Sequence, residues 1–434
     1  MRTMTKRSTR AVGVATAAAL VLGVSACASS SGGGTGSKSA GSFTYWSMWQ
    51  SSEPQAQVLK AAITQFTAQT GIKVDVDWVG RGISTKIGPS IAANQAPDLW
   101  DEADSTIYGT EASAGQALDL SPVLKMQVPG ENATVGSVIP AKYFAMEPKD
   151  PAGSDTYLIP YEVASTGMFY NAANPVIKAA MPTVPTTWAG LLSVCAKLKA
   201  KGMACIASEG EDPWTNELYF DYLLNAQGIN FNTLASDKTG ASWDNPAVLK
   251  AAQEVDQLVT DGYVIPGYTA TKYPAQETNW ANGKAAFYMD GDYVTSEVAK
   301  EVPASWKMAS MLPPGAQEPD ATLFGFSIPK RAKNASAAEK FIAFFTQKQE
   351  MSGIATTALN ITPRADIPAP APLTSSQQEL TSPTVRQPFD SLAGNWSPEV
   401  LDQNYLDMWH GQLTPAQFVA KCKAAQISYW KSQD

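Results

Sequence analysis

The sequence predicts an α/β protein of two lobes with a ligand cleft between them. Three observations lead there. Residues 43–100 read as strand, helix, strand, helix, strand, and a comparable succession of helical stripes and short apolar runs fills 188–289. The length, 434 residues, allows two or three domains at roughly 150 residues each. With 44% hydrophobic and 17% charged residues, the chain has the composition of a globular protein with a core large enough to need no metal or disulfide.

The elements follow in order. Phe43-Thr44-Tyr45-Trp46 is a β-prone run. Val58, Leu59, Ala62, Ile63 and Phe66 recur at helical spacing over 53–69, with Pro54 suited to a first turn and Gly71 to the cap beyond the end. Ile72, Val74, Val76 and Trp78 alternate with Lys73, Asp75 and Asp77, which predicts a strand. A short helix over 85–94 leads to Ala96-Pro97-Asp98-Leu99-Trp100. This succession argues for a parallel sheet flanked by helices. Further on, Trp188, Leu191, Leu192, Cys195 and Leu198 form a stripe ended by Gly202, and Cys205-Ile206-Ala207 reads as a strand. Val248, Leu249, Ala252, Val255 and Leu258 mark another helix, and 285–289 is a strand after the Asn282-Gly283 turn. A helix is expected over 337–347, an extended proline-rich run over 363–372, and two closing helices over 398–410 and 415–431.

The N-terminus reads as a targeting segment. Residues 1–26 carry Arg2, Lys6, Arg7 and Arg10, no acid, and an apolar run over 11–26. That run is short for a membrane span, which needs about 20 apolar residues, and fits a secretory signal peptide. Its end, Val24-Ser25-Ala26-Cys27, resembles the lipobox of bacterial lipoproteins, which implies acylation of Cys27; the alternative is ordinary cleavage leaving a free thiol. Two or more acyl chains anchor stably where one does not. The stretch to residue 42 is nearly all Ser, Gly, Ala and Thr, the composition of a flexible tether. Four of the 32 basic residues lie in 1–26, so the mature chain has 28 against 40 acids, a net charge of −12.

Composition also excludes functions. No basic footprint supports a nucleic-acid partner. The one histidine, His410, cannot form HExxH and reads as an ordinary surface or helix residue, and no cysteine pair has CxxC spacing. Neither a P-loop nor G-x-S-x-G occurs. No cofactor and no metal are expected, and the chain is read as a non-enzyme and a monomer. Outside the membrane, where conditions are oxidising, Cys195 and Cys205 are close enough for a local disulfide, leaving Cys422 unpaired; three buried thiols are the alternative.

The ordered landmarks resemble those of a known family. They are Tyr45-Trp46-Ser47-Met48-Trp49, Gly71-Ile72-Lys73-Val74-Asp75-Val76, Ala96-Pro97-Asp98-Leu99, Ile159-Pro160-Tyr161 and Gly167-Met168-Phe169-Tyr170-Asn171. Pro185-Thr186-Thr187-Trp188, Gly283-Lys284-Ala285-Ala286, Asp290-Gly291-Asp292-Tyr293 and Gly325-Phe326-Ser327-Ile328-Pro329-Lys330 follow, before Lys333-Asn334 and the Lys340-Phe341 helix. Each is weak alone, but their order from Phe43 to about Phe345 resembles the extracellular solute-binding proteins (family 1) of ABC importers, the maltose-binding-protein-like group. Tyr293 departs from a common tryptophan, which puts ligand stacking there in question. Asn171-Ala172-Ala173-Asn174 departs from a common lysine-aspartate pair.

The resemblance implies a periplasmic-binding-protein-like fold of class II, its two lobes joined by three hinge crossings. By position the crossings fall near 160–164, 323–328 and 360–363. Lobe one is then 43–160 plus 325–360, and lobe two 164–322 plus 363–434. It further implies a substrate-binding lipoprotein on the outer face of the cell membrane, which captures a mono- or oligosaccharide and delivers it to the membrane subunits of an ABC permease.

A sugar site needs flat aromatic platforms with carboxylates and amides beside them. Four clusters have that mixture and lie after predicted strands, where open α/β sheets bind ligands. They are Trp49-Gln50, Asp101-Glu102-Ala103-Asp104, Glu211-Asp212-Pro213-Trp214 and Asp292-Tyr293. Trp214 matches a stacking aromatic of the sugar-binding members, and Tyr293 comes next. Trp396 could supply a third platform or pack the terminal helices. Glu162 could sit at a hinge, and Gly325 suits close backbone approach to a ligand or hinge. The competing readings are a non-sugar solute on the same fold (polyamine, glycerophosphodiester or metal chelate), a glycosidase with paired carboxylates and a tethered adhesin.

Overall fold

The computed structural model describes residues 41–151, 156–388 and 396–433. The expected signal peptide, Cys27 and nearly all of the tether lie outside these residues. No helix among the described residues is long and apolar enough to cross a membrane.

The chain builds two open mixed sheets, the frames of two lobes. Strands β1 (Ser42–Ser47), β2 (Lys73–Trp78), β3 (Leu99–Ala103) and β4 (Ile159–Ala164) join β9 (Thr322–Ser327) in the order β2-β1-β3-β9-β4. Strands β5 (Thr166–Asn171), β6 (Ala204–Ala207), β7 (Ala285–Gly291) and β8 (Met308–Met311) form the second sheet in the order β6-β7-β5-β8. The sheets are not wholly parallel as expected. β1 pairs in parallel with β2 and β3, and β6 with β7, but β9 runs against β3 and β4, and β5 against β7 and β8. The antiparallel strands are those that leave for, or return from, the other sheet, so no helical crossover within one sheet turns them parallel.

Among the described residues, three passages join the sheets. The first is one residue long: Ser165 separates the end of β4 from the start of β5. The second is the segment 312–321 between β8 and β9, and the third leaves the first sheet at Ile361, which bridges to Val163. The segments expected as the first two crossings are thus strands β4 and β9 themselves, and the passages lie just beyond them. Their ends converge, because Ala164 pairs with Thr322. After the third passage, the short helix Thr374–Glu379 docks on β8 through Ser310, whose N–H donates to Ser375 Oγ at 3.0 Å.

Local sequence explains the helices. Pro54 opens the helix Pro54–Thr70, and Gly71, at φ 73°, caps it in the left-handed conformation that glycine adopts without strain. Phe341 of the helix Ala335–Phe345 fills the first core, its ring 5.3 Å from Phe66 and 6.2 Å from Tyr45. In the second lobe the helix Pro213–Ala226 is buried from Thr215 to Asn225. Terminal helix Pro415–Gln433 brings Phe418 to 5.3 Å from Phe220, so the C-terminal segment closes this core. Cys195 and Cys205 form a disulfide, tying the helix Trp188–Lys199 to β6, and Cys422 is a buried thiol.

Candidate ligand cleft

Of the expected site residues, Trp214 and Tyr293 line a hollow beside Ser165, and the backbone of Asp292 bonds Ser165. On the second-lobe side, a cavity of about 160 Å³ is lined by Ala164, Ser165, Thr166, Trp214, Tyr293 and Thr322, among others. Strands of both sheets and the one-residue passage between them therefore contribute to one hollow.

Trp214 stands at the second position of its helix because Pro213 begins it. Among the described large hydrophobic residues that stay exposed, it is the one aromatic, at 41%. Its ring lies 5.2 Å from that of Tyr273, whose N–H donates to Asp212 at 2.6 Å and whose hydroxyl donates to Glu297 at 2.5 Å. Asp212 thus spends its carboxylate on Tyr273 instead of capping the helix. His410 supports the same loop, its Nε2 2.9 Å from the Gly210 carbonyl. Tyr293 folds back over the backbone of Gly291, where any Cβ would collide with the ring. Its hydroxyl donates to Asp290 at 2.7 Å. Burial, against the bonds from Tyr293 and Gly291, pushes the Asp290 carboxyl up to about 7.

The first-lobe side is built on Asp101. That carboxylate is wholly buried and accepts from Met48 N–H at 2.9 Å, Ser47 hydroxyl at 3.3 Å and Tyr161 hydroxyl at 2.5 Å. Burial raises it to about 6, although all three bonds act in the opposite direction. Tyr161 in turn accepts the Trp49 indole N–H at 2.7 Å. Trp49 is 5% exposed, with the tilted Phe324 ring at 5.8 Å and the Arg81 guanidinium over its own ring at 4.7 Å. Asp101 and Trp49 therefore hold the strand ends in place. Gln50 is exposed beside them, and Glu102, raised to about 7 chiefly by burial, accepts from Ala103 N–H at 2.6 Å.

Glu162 lies at the end of β4, fully buried, accepting from Asn360 at 2.7 Å and Gln55 at 3.4 Å, and burial raises it to about 7. Asp292 is buried too; its backbone N–H donates to Ser165 at 3.0 Å, and burial holds its carboxyl well above the carboxylate range. The other side of the one-residue passage is fixed by Asp320, which accepts Thr166 N–H at 2.7 Å. Asp104 is buried next to Glu147, and burial raises both.

Two expected residues serve packing. Trp396 is fully buried between Phe231 and Trp243, with ring centroids at 5.6 and 6.5 Å, so it fills the second core and offers no platform. Gly325 admits a neighbouring strand, since a Cβ there would lie 2.6 Å from the Ile159 carbonyl oxygen of β4. Residue patterns give no sign of Tyr273, whose neighbours Lys272 and Pro274 suggest only a turn. Tyr161 stands in the Ile159-Pro160-Tyr161 motif, which by itself assigns it no place in the site.

A family model described as a bacterial extracellular solute-binding protein matches residues 61–381. The diacetylchitobiose binding protein NgcE of Streptomyces coelicolor (strain ATCC BAA-471 / A3(2) / M145) is 23% identical over 278 residues, 63% of this chain and 56% of that protein. The match thus spans about half the length of that curated relative. Among solved structures, the bacterial solute receptor AcbH, described as preferring β-D-galactopyranose, superposes with a TM-score of 0.73 at 17% identity, covering 91% of this chain and 99% of that one. A chitin oligosaccharide binding protein gives 0.69 at 20% identity, covering 90% and 99%. At these identities the likeness is one of fold.

Proposed function

The chain belongs to the bacterial extracellular solute-binding proteins, and from that premise we propose that it captures a mono- or oligosaccharide between its lobes and delivers it to the membrane subunits of an ABC importer. The observation that carries this reading is Trp214: a tryptophan left open beside Tyr273 and Tyr293, at the junction of both lobes. A flat ring covers the apolar face of a sugar at little entropic cost, and nearby amides and carboxylates fix its hydroxyls. Gln50 and Glu102 take that part on the first-lobe wall, Asp290 through Tyr293 on the second. The sugar-binding relatives support the same class of ligand.

No covalent step is required. The lobes rotate about Ser165 and the two longer passages, and the solute stabilises the closed form by touching both sides. Lobe one is taken as 43–164 plus 322–360, and lobe two as 166–311 plus 371–433. The chain is exported by residues 1–26 and held at the outer face of the membrane by acylated Cys27, as a monomer.

A cationic solute such as a polyamine is the second reading. It is favoured by the acids behind the aromatic trio, where Asp290 and Glu297 accept the hydroxyls of Tyr293 and Tyr273. A thermal-shift screen of residues 28–434 against sugars, polyamines and glycerophosphodiesters separates the two. Ligand at 100 times its dissociation constant should add about 2.7 kcal/mol of stability. Stabilisation by one sugar class, without glycoside turnover, is the expected result; stabilisation by polyamines alone would replace it.

A further inference from the structure

The opposite end of the first sheet has a chemistry of its own. β9 runs against β3, with Trp100 opposite Ser327, so the exit of β9 lies where β1 and β3 begin, away from Ser165. A hollow of about 340 Å³ opens there, with Trp46, Gln116 and the turn 330–334 in its wall. The turn carries three exposed cations in four residues: Lys330, Arg331 and Lys333.

This turn is fixed at both ends. Lys330 N–H donates to the Gln116 carbonyl at 2.7 Å, and Asn334 donates to Asp98 from its N–H at 2.8 Å and its side-chain amide at 3.1 Å. Asp98 also accepts the Thr44 N–H at 3.0 Å and hydroxyl at 3.1 Å, so its charge is spent on the frame. No ion pair among the described residues involves any of the three cations. The neighbouring strand β2 adds exposed Lys73 beside Asp75 and Asp77, leaving the edge net positive in a mature chain of net −12.

The same edge is where the chain enters the fold. The Gly41 carbonyl accepts Lys73 N–H at 3.2 Å, and Thr44, two residues after β1 begins, lines the hollow. The Ser- and Gly-rich sequence read as leading from Cys27 arrives here. We infer that this end of the first lobe seats on anionic lipid, with Lys330, Arg331 and Lys333 taking headgroup phosphates. The inference rests on the anchored-lipoprotein reading and adds an orientation: the tip of lobe one faces the bilayer, and the cleft is held away from it. Contacts of this kind are salt-sensitive and reversible, which lets the protein leave the surface to meet a permease.

The test uses residues 40–434, which form one compact unit, so no acyl chain contributes. The protein is sedimented with phosphatidylglycerol vesicles, with phosphatidylcholine vesicles, and with phosphatidylglycerol plus inorganic phosphate. Binding to the anionic vesicles alone, lost at high salt, is expected. At roughly fivefold per cation, the neutralising triple variant K330Q/R331Q/K333Q should weaken it by about a hundredfold, while its stabilisation by solute stays that of the wild type. Equal binding to neutral vesicles, no binding to anionic ones, or a triple variant that still binds would overturn the inference. Stabilisation by inorganic phosphate without vesicle binding would make this a soluble-anion site and refute the membrane seat. Mass spectrometry of Cys27 in the membrane fraction checks the anchor separately.

Discussion

Replacing Trp214 with alanine should weaken ligand binding strongly while sparing the fold. The ring keeps 41% of its surface exposed. A tryptophan buries about 150–250 Å², so roughly 100 Å² is open for a sugar to cover. At about 25 cal/mol per Å² that surface is worth some 2.5 kcal/mol, close to a 70-fold change in Kd. The cost to the free protein is smaller, because there the ring packs chiefly against Tyr273, tilted at 5.2 Å, and such pairs contribute about 0.5–1.5 kcal/mol. Titration calorimetry with the sugar found in the screen measures the first quantity, and a melting curve the second. An affinity within threefold of wild type in Trp214→Ala would refute the placement of the site. A loss of affinity that merely follows unfolding would not support it.

Three further outcomes test the frame. Arg386 pairs with Asp221 at 2.6 Å, both buried, so Arg386→Met leaves a buried carboxylate alone and should cost about 3–5 kcal/mol in denaturant unfolding; a loss below 1 kcal/mol would contradict the pairing. Glu162 is raised to about 7 by burial, so its contribution is complete at acid pH and is lost as pH climbs from the unfolded value near 4 through 7. Glu162→Gln should therefore gain on the wild type by up to about 3 kcal/mol between pH 5 and 8, and parallel stability profiles would show that Glu162 does not titrate as a buried acid. Removing the Cys195–Cys205 disulfide as a double alanine variant should lower stability by about 2–3 kcal/mol from chain entropy, with Kd for the solute unchanged; a shifted Kd would tie the disulfide to the cleft.

Periodicity carries the parts of this fold that are locally determined. The helix Pro54–Thr70 and its Gly71 cap are written in apolar spacing and one left-handed glycine, and β2 in strict alternation. Strands β4, β5 and β9 are buried almost throughout, so they lack alternation, and their antiparallel pairing depends on passages that no local pattern encodes. The site divides the same way. Trp214 and Tyr293 follow strands and line the hollow at Ser165, whereas Asp101 and Trp49, equally conspicuous in sequence, are absorbed by Tyr161 from a strand far along the chain. Trp396 differs from a platform only through Trp243 and Phe231, which surround it from distant parts of the chain. Tyr273 reaches Trp214 through bonds between distant segments, from its own backbone to Asp212 and from Gly210 and Glu211 to the Thr271 carbonyl.

The claim that matters most is that a solute is held between two lobes that turn about Ser165 and its neighbouring passages. Small-angle X-ray scattering of residues 28–434, with and without the sugar that stabilises the protein, measures it directly. Hinge closure predicts a fall in the radius of gyration at saturation, which Trp214→Ala reaches only at a sugar concentration higher by about the 70-fold loss in affinity. Saturation of the wild type with an unchanged scattering curve would contradict closure, and stabilisation by no sugar at all would contradict the ligand class.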